Sequence, residues 1–146
     1  MKLRFVAMHA LIIFAAIPAY AQMPTMELSA GIHLIRAEVA NTFDTRAQGL
    51  MFRKYLGPSD GMLFVFPAPD THCMWMKNTL IPLSVAFMDE KGKIITIAEM
   101  RPQTENSHCA AAPAKFALEM SGDWFSAKNI KPGQIISGLN AAPSAR

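Results

Sequence analysis

Two cysteines, Cys73 and Cys109, each directly preceded by a histidine, constrain this chain more than any other feature. If both thiols are oxidised there is one possible intrachain pairing, so the segments around His72 and His108 must meet in space. Closing a loop of that length stabilises by about 4 kcal/mol in the chain-entropy model. That is a large share of the stability of a small domain. Whether the thiols pair depends on where the chain is delivered, because disulfides persist in oxidising compartments.

The first residues speak to that destination. Lys2 and Arg4 precede an apolar stretch from Phe5 to Ala19, and Ala19-Tyr20-Ala21 follows. A positive start, an apolar middle and small residues at the end make the layout of a secretory signal peptide. The stretch is interrupted by His9 and falls short of the roughly 20 residues that a spanning helix needs. The reading is therefore residues 1–21 as a cleaved leader and 22–146 as one domain, periplasmic or secreted, with no membrane span in the mature chain.

Without Lys2 and Arg4, 12 of the 14 basic residues remain against 11 acidic ones, a net charge of +1. The basic residues are scattered, with Arg53-Lys54 the one adjacent pair in this part. No basic stripe tracks phosphates, so nucleic-acid binding is not expected.

A metal site competes with the disulfide for the same residues. His72, Cys73, His108 and Cys109 offer two nitrogens and two sulfurs, a set that suits zinc or, with thioethers from Met74 or Met76, copper(I). Neighbouring side chains on a strand point to opposite faces, however. His72 and Cys73 could share one ion only where the strand is irregular.

Periodicity outlines the remainder. Gly31 to Ala40 alternates as a strand. Asn41 or Thr42 can cap a helix from Phe43 to about Phe52, with Gly49 inside it for close packing. Met62 to Phe66 is apolar at every position, which predicts a strand buried on both faces. Pro67 to Asp70 should break it, and Cys73 to Met76 resumes extended structure. Leu83–Met88 and Lys93–Met100 form a hairpin around Asp89-Glu90-Lys91-Gly92. Arg101 to Pro113 is a long loop, tethered if Cys109 is bridged. Lys115–Met120 is a strand, Ser121 caps a helix over 122–129, a final strand lies near Gln134–Ser137, and the tail from Asn140 is loose.

Three motifs occur in order: Arg46-Ala47-Gln48-Gly49-Leu50-Met51-Phe52-Arg53, Gly61-Met62-Leu63-Phe64-Val65-Phe66, and Trp75-Met76-Lys77-Asn78-Thr79-Leu80-Ile81-Pro82-Leu83. With Ala117-Leu118-Glu119, Trp124-Phe125 and Ile130-Lys131-Pro132-Gly133, they resemble the bacterial and archaeal family known as domain of unknown function 192. The resemblance spans about 32–136. It implies an α+β fold, compact and mostly antiparallel β-sheet or partly closed barrel, with one or two short helices, in a family of often exported proteins without an established activity. Gln134 stands where an acidic residue is expected after Pro-Gly, and the two cysteines are not common to all members.

The family's polar positions map to Arg46, Arg53, Lys77, Asn78, Thr79, Glu99 and Glu119. Arg46 and Arg53, seven apart, could share a helical face and salt-bridge Glu99 or Glu119. Asn78-Thr79 could equally fix a turn through side-chain to backbone hydrogen bonds. Beside them, Trp75 could be core or the aromatic wall of a polar-ligand pocket.

Three functions are compatible with these residues. The first is a non-enzymatic binding or interaction module for a small polar ligand or protein partner, without a cofactor, its site around Trp75, Lys77, Asn78 and Thr79. The second is a periplasmic copper- or zinc-binding module on the two His-Cys pairs. The third is an enzyme using Glu99 and Glu119 as an acid and base pair. No Gly-x-Ser-x-Gly or similar nucleophile motif is present, so no catalytic residue is assigned.

Overall fold

The computed structural model describes residues 23–146; the expectation of a cleaved leader over 1–21 falls outside the described residues. The elements run β1 (Thr25–Ala30), β2 (His33–Ala40), α1 (Phe43–Gln48), β3 (Asp60–Asp70), β4 (Cys73–Met74), β5 (Leu83–Met88), β6 (Ile94–Met100), β7 (His108–Cys109), β8 (Ala114–Ser121), α2 (Trp124–Ala127) and β9 (Ile136–Ser137). Seven strands make one sheet in the order β6-β5-β8-β3-β2-β1-β9, and β4 pairs with β7 in a separate ribbon. All pairs are antiparallel except β2 with β3. A parallel pair cannot be joined by a tight turn, and α1 lies in the crossover that connects them.

The sheet curls into a partly closed barrel. At its open side Lys93 bridges Ile135, the Ile94 amide donates to the Gln134 carbonyl at 2.8 Å, and the Gly133 amide donates to the Ile94 carbonyl at 2.8 Å. Inward positions of successive strands fill the interior, among them Leu28, Ile35, Leu63 and Leu118, and α2 adds Phe125. A second apolar layer covers the outer face of β3, β8 and β5, with Leu50, Phe64, Met76 and Phe87 in it. This explains the unbroken apolar run of β3. Leu63 and Val65 face the barrel, while Met62, Phe64 and Phe66 face the outer layer.

Local chemistry sets the boundaries, several of which differ from the expectation. Thr25–Ala30 forms β1 and pairs antiparallel with β2, whose start the turn at Gly31-Ile32 delays from Gly31 to His33. Gly31 has φ +58, the left-handed region that glycine enters without penalty. Helix α1 stops at Gln48 rather than Phe52. It opens with a capping box, Thr42 accepting from the Thr45 amide while the Thr45 hydroxyl accepts from the Thr42 amide. Gly49 ends it at φ +48, where an added Cβ would also sit 3.2 Å from the Phe64 ring. Close packing was the correct motive for this glycine, and helix termination is the second.

Strand β3 continues through Pro67 and Pro69 instead of breaking there. Its register with β8 shifts between Val65 and Asp70, so the prolines occupy an interrupted part of the ladder where no N–H is required. The second helix is a single turn with left-handed Asp123 at its N-cap position and no side-chain cap bond, because Ser121 is still the last residue of β8. Buried Asn41 holds the tail that was expected to be loose. Its side-chain amide donates to the Ser144 carbonyl at 2.8 Å, and its own carbonyl accepts from the Arg146 amide at 2.7 Å.

Candidate ligand cavity beside the disulfide ribbon

Cys73 and Cys109 lie directly opposite each other in the β4–β7 ribbon and form a disulfide, with sulfurs 2.05 Å apart. The ribbon anchors the long 101–113 segment, assisted by the Met76 amide donating to Thr104 and the Gln103 amide donating to Thr79, each at 3.0 Å. His72 stacks on Phe66 with ring centroids 3.7 Å apart, and its Nε2 lies 3.0 Å from the Ala68 carbonyl. His108 Nε2 lies 3.4 Å from the Asn106 amide nitrogen. Both cysteine sulfurs are thus spent on each other and the two imidazoles face different neighbours. Among the described residues no three His, Cys, Asp or Glu side chains gather as a metal site requires.

Beside the ribbon is a cavity of about 160 Å³. The end of α1 and the turn at Gly49–Met51 form one wall, and Cys73–Trp75 forms the other. Phe64, Thr79 and Glu119 line it from below, and Arg46 contributes from α1. Its walls are largely apolar because it opens into the outer hydrophobic layer, which Leu50 and Phe64 complete.

Glu119 is the anomaly in this layer. It sits in the middle of β8, opposite Met62 on one side and Val85 on the other, and is 4 % exposed. Burial disfavours its charged form and raises the carboxyl from an ordinary 4.5 to about 8. At neutral pH the group is therefore protonated, with one O–H to donate and lone pairs to accept. No side-chain nitrogen or oxygen sealed inside the described residues lacks a hydrogen-bond partner. Glu119 has no side-chain hydrogen bond among the described residues and lines the cavity, so its hydrogen-bonding capacity is directed into that space.

Four of the sequence-derived site residues meet here: Arg46, Trp75, Thr79 and Glu119. Trp75 is half exposed, so it belongs to the rim rather than the core. Lys77 and Asn78 occupy the adjoining turn. The Lys77 ammonium lies 5.3 Å from the Trp75 ring centroid and 3.6 Å from the Glu105 carboxylate.

Arg53, Glu99 and the expected ion pairs fall elsewhere. Arg53 lies beyond the shortened helix and pairs with Glu38 at 2.6 Å, while Arg46 donates to the Val65 carbonyl at 3.1 Å. Glu99 and Glu119 cannot act as an acid and base pair across one site. Glu99 is opposite Ser84 and Glu119 is opposite Val85, and consecutive residues of β5 point to opposite faces of the sheet. Glu99 instead accepts a 3.0 Å bond from the Asp123 amide. The wall formed by Gly49–Met51 was missed because an early helix stop is invisible to periodicity; Gly49 itself was the available signal.

A curled β-barrel with an outer apolar layer, a disulfide ribbon and one buried carboxyl facing a small cavity defines the structural class. The chain belongs to the domain of unknown function 192 family, described as uncharacterized ACR, whose model matches residues 25–138. It is similar to a crystal structure of a protein of unknown function from Novosphingobium aromaticivorans DSM 12444. That match has 33 % identity and a TM-score of 0.78, covering 85 % of this chain and 91 % of the other. It is also similar to a Sinorhizobium meliloti 1021 protein provisionally described as a transcription regulator, at 32 % identity and a TM-score of 0.73, over 77 % of this chain and 91 % of the other. No protein with a curated description matches.

Proposed function

We propose that this chain is an exported, non-enzymatic binding module whose site is the Glu119 cavity and whose ligand is a small polar molecule or a polar group of a protein partner. The single observation that carries the reading is the Glu119 carboxyl, 4 % exposed, without a hydrogen bond among the described residues, and lining an open space. Because that carboxyl faces open space and is not sealed, a ligand entering the cavity would exchange solvent for direct hydrogen bonds to it. Trp75 supplies an aromatic face at the rim, as sites for polar ligands use.

Export is supported by the layout of residues 1–21 and by the exposed disulfide, which suits an oxidising compartment. Among the described residues no helix is long and apolar enough to cross a membrane.

The test is protein-observed NMR of the oxidised protein against small amides, polyols and amino acids. Saturable shifts clustered at Leu50, Trp75 and Thr79, lost in Trp75→Ala without a fall in Tm, are expected. Shifts confined to other surfaces, or unfolding of Trp75→Ala, would remove the proposal.

A further inference from the structure

Resting on the reading of this cavity as a binding site, we infer that its occupant is a group carrying a hydrogen-bond donor and acceptor side by side, a primary carboxamide above all. The argument starts from what the cavity offers. Leu50, Phe64 and Met74 are apolar in its lining, Arg46, Gln48, Trp75 and Thr79 bring polar groups, and Glu119 brings the one carboxyl. A protonated carboxyl presents O–H and C=O on one carbon. The complementary partner presents N–H and C=O in the same way, so two parallel hydrogen bonds close a ring, and a carboxamide fits.

Charge argues against the alternatives. Arg46 lines the cavity and Lys77 lies over the Trp75 rim, so a cation would enter against two positive groups. Ionising Glu119 to receive it would also incur the burial cost that holds the carboxyl near 8. An anion brings acceptors alone, so even beside Arg46 it could take the Glu119 O–H but would leave the carboxyl C=O facing a like charge. A hydroxyl supplies donor and acceptor on a single atom, so the ring it closes with the two oxygens of Glu119 is smaller and its hydrogen bonds are bent and weaker. Thr79 adds acceptor capacity, since its hydroxyl donates to the Lys77 carbonyl at 3.4 Å.

Size sharpens the class. A cavity of about 160 Å³ matches roughly five water shares of about 30 Å³ each. This is well under the ~300 Å³ at which pockets for whole drug-sized ligands begin. It admits a carboxamide on one or two methylenes, the size of an asparagine or glutamine side chain. Outside it, Trp75 is 48 %, Phe52 66 % and Leu80 40 % exposed. Phe52 reaches this side because its amide donates to the Asn78 carbonyl. A free amide and an amide side chain on a polypeptide share the same chemistry at Glu119, and the second would also meet this rim.

The experiment titrates the oxidised full chain with propionamide, 1-propanol, propylammonium and propionate at pH 6.5, observed by NMR. Propionamide is expected to shift Leu50, Trp75 and Thr79 saturably, at least tenfold more tightly than the other three. Glu119→Gln, which keeps a donor and an acceptor, should bind within about threefold at pH 6.5 and equally at pH 9.5, where the native protein loses at least tenfold. Glu119→Leu should lose binding while remaining folded by NMR. Tighter binding of propylammonium, propionate or propanol in the same cavity would overturn the carboxamide assignment and leave the binding site standing. Silence of the cavity toward all four probes would overturn both. N-acetylglutamine methylamide binding tighter than propionamide supports a polypeptide source, equal affinity supports a free small amide, and either upholds the class.

Discussion

The Phe52 amide donates a 2.8 Å hydrogen bond to the Asn78 carbonyl, and both residues are left-handed, with φ of +63 and +56. One bond thus ties the segment after α1 to the turn after Trp75, the two stretches whose neighbours form the cavity walls. Asparagine tolerates this backbone region better than other non-glycine residues. The family position at Asn78 is therefore a conformational requirement as much as a chemical one. Asn78→Ala should lower stability by about 1 kcal/mol, while Asn78→Gly should leave it nearly unchanged; urea unfolding of the two variants checks this.

Glu119 makes stability depend on pH in a defined direction. Its carboxyl ionises near 8 in the folded protein and near 4.5 when unfolded. Between those values the folded state holds a proton that the unfolded state has released, so rising pH favours unfolding. The contribution is complete below about 4.5 and is lost as pH rises through about 8. Tm of the native protein should fall from pH 5 to pH 9, and Glu119→Gln should remove most of that slope.

The disulfide should matter for the ribbon and the cavity wall together. The bridged cysteines are 36 residues apart, and opening that loop costs about 4 kcal/mol in the chain-entropy model. Cys73→Ser with Cys109→Ser should show that loss in chemical unfolding. Its accompanying sign is a changed Trp75 emission, because Cys73 and Trp75 share the cavity wall.

Gly61 predicts a steric rather than a conformational failure. A Cβ there would approach the Glu119 carbonyl at 2.6 Å, inside the contact that real Cβ atoms keep. Gly61→Ala should destabilise by about 3 kcal/mol, measurable as a lower urea midpoint with an unchanged slope.

Much of this architecture was legible in the sequence. Alternation in β2 and the apolar run of β3 reported their burial correctly, and the meeting of Cys73 with Cys109 brought the 101–113 segment to Trp75. The misplaced boundaries have local causes: Gly49 and Asp123 overrode helical spacing, and a register shift accommodated Pro67 and Pro69. Glu99 and Glu119 show where a single sequence stops being informative. Each strand reveals its own alternation, but which face one strand shares with another depends on register. Register alone puts Glu119 over the cavity and Glu99 on the opposite face.

The account turns on Glu119 being a neutral carboxyl lining a site, and ¹³C NMR titration of glutamate side-chain carboxyls in the oxidised protein tests that directly. The resonance that disappears in Glu119→Gln should titrate near 8, apart from the other glutamates. A midpoint near 4.5 would mean a hydrated, ordinary carboxylate and would contradict the proposed site.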